Sequence, residues 1–584
     1  MEAPATQDPL HTKARGLGWV PLLLLLAALP WVVGVSRDHA MGWDESMHAG
    51  LPAARMALAM RAGDVVEVAQ LAVGCQQYPF VFPLWLGAAQ ALFGVEEGVA
   101  RLASRALWPL CLVALWWLGL GLERRTARPG DRAARRWLVP AALVALGATS
   151  PLLLAFSGAL FLEVPSFLVG TLALGAWVRR DGGHRRELVA GALIALAVFT
   201  KFNYGLLLGA GLFLDLVFEG IGALRRGAGR AWLARVGWLA LVPLASFAWW
   251  FVWPWPGGIE LGASHWSAFW SFLDGNRGGN YTAVGVRLWE LGTFLAAGPV
   301  ALLLLLLGLF AALPRAGSKA ARAALAVFLV SALAIGEHEF FLDRFLLAVA
   351  LGAWPLAALG LTTLALALPG RGAVTGGVLV ALLLLAPLVA RPLAGPYCDW
   401  IGVRTVANAA VLDTYHRQKL DLSPGRALPT AGLARAEFDA VLDLVTAAAG
   451  PEGRVAWIGG SSELSPAAVH LGLLERGGSQ VRFLRDSSTY RPGGEPDFDV
   501  TWSSIDPNWS KEQLLEFARR FDVIFTTEPI DLRRRPGRNF MGNYRAMLLE
   551  DGHFAHERLG AVTISSSFGD PYSVEIFVCR PAPR

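Results

Sequence analysis

The chain has 584 residues, of which 54% are hydrophobic and only 17% charged, with a mean hydropathy of +0.46. Soluble domains carry about 25% charged residues, and a chain of this size cannot bury so much apolar surface in water, so a soluble globular protein is excluded. The formal net charge of +5 comes mainly from arginines in short segments between apolar blocks, which is a topology signal and not a nucleic-acid footprint.

Residues 22–35, 139–156 and 373–390 contain no charge at all. A bilayer core about 30 Å thick needs roughly 20 apolar residues per helix, and inside lipid each backbone group must be satisfied within the segment. Spans are therefore predicted near 17–35, 99–121, 138–155, 163–178, 188–200, 203–218, 237–253, 287–312, 320–336, 345–368 and 373–390, eleven in all. The first block lacks a small-residue cleavage site and reads as a retained helix. The stretch 78–93 is apolar but short, and Pro79 and Pro83 interrupt it. At 1.5 Å per residue it reaches only about 24 Å, so it is predicted as a helix lying on the outer surface.

Arg124, Arg125, Arg128, Arg132, Arg135 and Arg136 share one inter-span segment, and Arg179, Arg180, Arg185 and Arg186 another. Arg225, Arg226, Arg230 and Arg235 follow, then Arg315, Lys319, Arg322 and Arg371. With eleven spans all of these lie on one side, which the positive-inside rule makes cytoplasmic. The opposite segments carry isolated cations such as Lys201, Arg277 and Arg344. This gives a polytopic α-helical membrane protein of the cytoplasmic membrane: a cytoplasmic tail over 1–16, a transmembrane domain over 17–390 and an extracytoplasmic α/β domain over 391–584.

In that last domain, 455–458 reads as a strand, Gly459-Gly460-Ser461 as a turn and 466–474 as a helix. A further strand is expected at 521–526 and a hairpin from 562–566 and 572–579. The Gly-Gly-Ser turn lacks a phosphate-loop spacing. The four cysteines, Cys75, Cys111, Cys398 and Cys579, lack metal spacing. Cys398 and Cys579 fall in the same predicted domain, where they pair in an oxidising space or stay free.

The acids at the outer ends of the spans are the informative feature. Met41-Gly42-Trp43-Asp44-Glu45-Ser46-Met47-His48 follows the first span, and Glu163-Val164-Pro165 opens the fourth. Thr200-Lys201-Phe202 marks the next outer turn, and Glu337-His338-Glu339 with Asp343-Arg344 precedes the tenth span. Ionisable groups embedded in apolar sequence are costly and usually functional, although span ends also carry charges simply because they reach the headgroups. Acids beside cations at a membrane surface suit an anionic lipid headgroup and a reacting hydroxyl. The same carboxylates are compatible with a divalent metal. Trp249, Trp250, Trp253, Trp255, Trp266 and Trp270, with His265 and Tyr281, enrich one outer loop and its flank. They read either as an interfacial belt or as stacking surfaces for a sugar or an isoprenoid.

Asp44-Glu45, Tyr78-Pro79-Phe80-Val81-Phe82-Pro83-Leu84 with Leu92-Phe93-Gly94, and Arg101 follow one another in order, then Glu163-Val164-Pro165, Thr200-Lys201-Phe202 and Arg344-Phe345-Leu346. Over roughly residues 15–390 this series resembles the polyprenyl-phosphate-sugar-dependent glycosyltransferases of the C-type fold. Within them it is most similar to family 39, the protein O-mannosyltransferases and lipid A aminoarabinose transferases. The resemblance implies a sugar transfer from a polyprenyl-phosphate donor to a glycan, lipid or protein hydroxyl outside the membrane. It makes Asp44 the catalytic base, Glu163 a second acid that positions substrate, and Lys201 and Arg344 the holders of the donor phosphate. Beside these, Glu45 is a further candidate catalytic acid, Arg101 a candidate phosphate contact, and His48, Tyr78 and His338 candidate substrate contacts. Two departures are a Glu at 163 where many relatives have Asp, and Arg-Phe at 344–345 for Arg-Tyr. The loop 254–286 is also too short for the sugar-binding insert of eukaryotic protein mannosyltransferases. The competing class is a transporter or flippase for a lipid-linked sugar, but transporters place polar groups at the bilayer midplane between repeated halves, and here the acids lie at span ends.

The topology has a direct check. In intact cells, an impermeant thiol reagent should label Gly450→Cys and leave Gly182→Cys untouched; labelling at 182 would reverse the orientation.

Overall fold

The computed structural model describes residues 19–33, 40–42, 45–75, 79–126, 137–180, 183–252, 299–315, 317–336, 345–368, 371–400, 433–450, 454–458, 464–476, 482–483, 510–519, 521–528, 540–550, 552, 554–564 and 572–581. Four helical stretches among them are individually long and apolar enough to cross a membrane: Glu97–Thr126, Phe202–Arg225, Gly229–Phe251 and Leu346–Leu366. With the shorter apolar helices around them they form a multi-pass bundle.

The bundle is built from α1 (Val20–Val33), α2 (Leu51–Arg61), α3 (Val65–Gly74), α4 (Val81–Phe93), α5 (Glu97–Arg105), α6 (Leu107–Thr126), α7 (Leu138–Thr149) and α8 (Pro151–Ser157). It continues with α9 (Glu163–Arg179), α10 (His184–Thr200), α11 (Phe202–Arg225), α12 (Gly229–Phe247), α13 (Pro299–Ala312), α14 (Lys319–Gly336), α15 (Leu346–Leu366) and α16 (Gly372–Trp400). Helix α15 is apolar on every side and buried on nearly every side, as expected of a helix at the centre of a bundle. It packs against α13, α14, α7, α9 and α16. Most of α12, by contrast, is not buried against protein.

Lipid offers helices no hydrophobic reason to associate, so close approach relies on small residues. A Cβ on Gly360 would fall on the carbonyl of Gly308 in α13, and one on Gly352 would strike the backbone of Phe328 in α14. A second device joins α9, α10, α11 and α14 at their common end. Arg180, fully buried, pairs with Glu187 (3.4 Å) and Glu219 (3.0 Å); Lys319 reaches Glu219 (2.9 Å) and Arg322 reaches Asp215 (2.6 Å). Arginines and lysines legible in sequence only as a topology signal thus become helix-to-helix ties.

Some predicted elements are corrected. The span expected at 138–155 divides into α7 and α8, because Pro151 has no N–H to donate and pushes Ser150 into an extended conformation; the Ser150 hydroxyl then caps α8 by accepting from Leu153 N at 3.3 Å. The last predicted span, ending at 390, runs on to Trp400 in α16, so Cys398 lies in that helix and not in the α/β domain. Cys579 is buried in a strand as a free thiol. Between the first two spans, a π-helical turn at Ser46–Gly50 and helices α2 and α3 form where no element was expected. The helix predicted at 78–93 forms as α4 and packs on α2 and α5.

The C-terminal domain contains α17 (Arg435–Ala449), β1 (Arg454–Ile458), α18 (Pro466–Glu475), β2 (Arg482–Phe483), α19 (Lys511–Ala518), β3 (Val523–Glu528), α20 (Phe540–Glu550), β4 (Phe554–Ile564) and β5 (Tyr572–Pro581). Its sheet has the order β2-β1-β3-β5-β4, parallel at β1 with both β2 and β3 and antiparallel at β3–β5–β4. Side chains alternate between faces along a strand. Accordingly Trp457, Phe525 and Val578 join α17 and α18 on one face, while Ala456, Ile524 and Cys579 join α19 and α20 on the other. The expected strands, helix and hairpin are all present; α17, α19, α20 and β2 were not anticipated.

The glycine contact between α13 and α15 gives a stability prediction. Overpacking of this kind costs about 1–3 kcal/mol or more, so Gly360→Val should lower the melting temperature in detergent. Gly237→Val, where a Cβ meets nothing within 4 Å, should leave it unchanged.

Candidate active site

Glu45 opens the π-helical turn and is 1% exposed. Its Oε1 accepts from Arg101 Nη1 (3.1 Å) and from Leu160 N (3.0 Å), and its Oε2 from Gly42 N (3.2 Å). Arg101, on α5, also donates through Nε to Glu97 Oε1 at 2.6 Å, one helical turn away, and through Nη1 to Gly158 O at 3.1 Å. Its Nη2 is buried without a hydrogen-bond partner among the described residues. Ser104, three residues on, donates to Ala159 O at 3.0 Å. The turn that leads into α9 is therefore held by Glu45, Arg101 and Ser104 together.

Glu163 stands at the start of α9, where the helix dipole favours an anion. It is completely buried, and Lys201 Nζ lies 2.6 Å from its Oε1. Lys201 occupies the extended residue between α10 and α11 (φ −159°, ψ 117°), so its side chain leaves the helical path and turns inward. The rings of Tyr204 and Phe345 lie 5.2 and 5.3 Å from its ammonium, and Phe345 follows Arg344 in sequence. On the other side, Phe80, Phe199, Phe202, Trp249 and Trp250 form one aromatic cluster, with Phe80 and Trp250 stacked at 5.8 Å. Trp250 is fully buried in it, so it is a packing residue and not part of an interfacial belt.

Of the residues singled out in sequence, Glu45, Arg101, Glu163 and Lys201 are brought to one end of the bundle, and His48 sits half-buried in the π-helical turn. Asp44, Tyr78, His338 and Arg344 lie outside the described residues, as do Trp253, Trp255, Trp266 and Trp270. Among the described residues no three His, Cys, Asp or Glu side chains gather in a metal-binding group.

Sequence reasoning missed the way the C-terminal domain is joined to this site. Glu97, which holds Arg101 with one oxygen, meets Arg435 Nη1 with the other at 3.2 Å. Arg435 reaches Glu475 Oε2 at 3.4 Å, and the Glu97 amide donates to the Glu475 carboxylate. Four residues past Gly42, the Ser46 hydroxyl donates to Gly42 O and shares a 2.8 Å hydrogen bond with Ser465. Since Ser46 spends its proton on the carbonyl, Ser465 is the donor between them, and Ser465 in turn caps α18 by accepting from Ala468 N. Ala40 N donates to Leu433 O at 2.8 Å, and Ala467 packs against Met47 and Leu51. The i, i+4 spacing of Glu97 and Arg101 was a legible signal; nothing local pointed to Arg435, Ser465 or Glu475.

No protein-family model matches the chain, and no curated protein matches it in sequence. Among solved structures, ArnT from Cupriavidus metallidurans in the apo state is similar over 97% of this chain and 98% of its own, with a TM-score of 0.54 and 15% identity. The same protein bound to undecaprenyl phosphate is similar over 96% and 98%, with a TM-score of 0.55 and 15% identity. A looser likeness, with a TM-score of 0.41 and 11% identity over 92% of this chain and 73% of the other, joins it to the archaeal oligosaccharyltransferase AglB from Archaeoglobus fulgidus, in complex with an inhibitory peptide and a dolichol-phosphate. The end-to-end match to ArnT shows that the chain has the C-type glycosyltransferase fold, as the ordered motifs implied.

The junction between the domains carries two groups whose proton affinity the fold shifts. Burial, reinforced by Glu97, pushes the Glu475 carboxyl up to about 7. A carboxyl raised on folding stabilises the docked state below its ordinary value and loses that contribution as pH rises through about 7. Burial, with Arg55 beside it, pushes His470 on α18 down to about 3; its contribution has the opposite sense and is lost as pH falls below 6.5. Comparison with Glu475→Gln isolates the first effect. Between pH 6 and 8, hydrogen exchange of the α18 amides, corrected for intrinsic rates, should accelerate about tenfold more in the wild type than in the variant. Equal pH responses would remove Glu475 from the junction.

Proposed function

We propose that this chain is a glycosyltransferase that moves a sugar from a polyprenyl-phosphate donor to an acceptor hydroxyl, at the end of the bundle that carries Glu45 and Glu163. The observation that carries the reading is the buried Lys201–Glu163 pair, with the rings of Tyr204 and Phe345 beside the ammonium, in a chain whose fold matches ArnT from end to end. ArnT has also been crystallised with undecaprenyl phosphate bound, which supports a lipid phosphate as the donor's leaving group here.

In the reaction the acceptor oxygen attacks the anomeric carbon, the bond from that carbon to the phosphate oxygen breaks, and the electron pair leaves with the lipid phosphate. Asp44 takes the hydroxyl proton as general base. Lys201 and Arg344 stabilise the charge that builds on the departing phosphate; Arg101, expected from the sequence to join them, is instead neutralised by Glu45 and Glu97 and braces the residues around them. Glu163 sets the position of the Lys201 ammonium. Glu45 acts through others: its carboxylate is committed to Arg101, Leu160 N and Gly42 N, which holds the segment bearing Asp44 and leaves the basic role to its neighbour. By docking on the residues just after Asp44, α18 makes the C-terminal domain part of the same positioning. The extracytoplasmic side follows from the charge distribution.

The test is reconstitution in liposomes with a panel of polyprenyl-phosphate sugars and cell-envelope extract, with release of polyprenyl phosphate as readout. Asp44→Asn should lower the rate by roughly 10²–10⁴-fold with an unchanged melting temperature. Lys201→Ala should weaken donor binding by about 10–150-fold through loss of a charge-assisted contact. Glu45→Gln breaks a buried pair and should instead lower the melting temperature, at a cost of about 3–5 kcal/mol. No release from any donor, or an Asp44→Asn rate within a few-fold of wild type, would defeat the reading.

A further inference from the structure

At the end of the bundle remote from Glu45, the last turns of α6 and α9 and the first turn of α10 enclose a cavity of 550 Å³. Arg124, Arg125, Arg179, Arg185 and Arg186 line it. Among the described residues, no carboxylate is in the lining. Glu123 is buried in the last turn of α6, while Glu187, Asp215 and Glu219 are engaged on the other side of Arg180 with Arg180, Arg235, Lys319 and Arg322. The two halves of one bundle end thus differ: one is a compensated ion-pair cluster, and the other gathers five guanidinium groups around an open space.

Some of those groups are held in place by the fold. The Arg179 guanidinium lies 3.8 Å above the Trp117 ring and donates to Gly175 O at 3.1 Å. Gly121 leaves it room, since a Cβ there would sit 2.5 Å from Arg179 Nη1. Arg125 Nη2 donates to the carbonyls of Arg179 and Arg180 at 3.2 and 3.4 Å. These contacts cap the end of α9, which favours cations, and they hold the arginines close together despite their repulsion. The rest of the lining is apolar: Trp117, Gly121, Ala176 and Val189. Charge bias at loop ends explains arginines at this level, but not a cavity that sets them beside an apolar floor of Trp117, Gly121, Ala176 and Val189.

We propose that this cavity binds the phosphate headgroup of a membrane lipid, with the guanidinium groups on the phosphate oxygens and the apolar floor against the chain. Guanidinium forks match phosphate oxygens in pairs, and basic pockets between membrane helices suit anionic headgroups. A free phosphate would use the arginines but not the floor. The site is separate from the one proposed for sugar transfer and does not depend on that reading.

Native mass spectrometry of the full chain, released from detergent and titrated with phosphatidylglycerol, undecaprenyl phosphate or phosphatidylcholine, tests it. The expected result is one tightly held phosphatidylglycerol or undecaprenyl phosphate, with the preferred one naming the source, and weaker retention of zwitterionic phosphatidylcholine. Arg124→Gln/Arg185→Gln, both exposed residues, should weaken the anionic lipid at least about tenfold with an unchanged melting temperature. Arg226→Gln/Arg230→Gln, exposed at the end of α11 and the start of α12, should not. Equal weakening in the two double variants, equal retention of phosphatidylcholine, or competition by inorganic phosphate at the lipid's own affinity would overturn the proposal.

Discussion

Arg101 is a cation taken almost wholly out of water, and it can stay there only because Glu45 and Glu97 approach it from two directions. Removing a charge from water costs several kcal/mol even after relaxation, and an unpaired buried charge costs more than a pair returns. The first loop, α5 and the turn before α9 must therefore all be in place before any of them is stable. Once they are, Gly158 and Leu160 are held, and α9 begins with Glu163 facing Lys201. The remaining oxygen of Glu97 carries the same constraint into the C-terminal domain through Arg435.

The two ends of the bundle solve one electrostatic problem in different ways. At the Glu45 end, acids and cations alternate through a chain of buried pairs, and the C-terminal domain packs on it by α18. At the other end, cations outnumber acids: part of the excess is neutralised around Arg180 and part surrounds a cavity. Between the ends, helices meet through glycines such as Gly308 and Gly360, since apolar side chains gain nothing by leaving lipid for one another. Polar ties at the ends and small residues in the middle divide the work of holding the bundle.

The C-terminal domain packs on the residues that follow the first span. Its sheet is covered on both faces, and α18 belongs to the domain core through Val469 and Leu473 while Ala467 and Leu471 pack on the membrane domain. One helix thus transmits the position of a packed sheet to the segment from Ser46 to Leu51. The carboxyl of Glu475, close to neutral pH in its proton affinity, makes that transmission responsive to the medium.

Membrane character, helical blocks and the order of the acidic motifs were legible in the sequence because each depends on local composition. Twenty apolar residues mean a span wherever they occur, and Glu163-Val164-Pro165 reads the same in isolation. The strands of the C-terminal domain were legible for the same reason, through their alternation. What the sequence could not supply was partnership. Glu97 and Arg101 are one turn apart, but Arg435 and Glu475 reach them across more than 300 residues, and no local pattern encodes that distance. The break at Ser150 turned on a proline inside an apolar run that otherwise suited a span. Arginines that composition could count only as loop charge were divided by the tertiary structure into buried ties and cavity walls, because the sign of a charge is written in the sequence and the company it keeps is decided by packing.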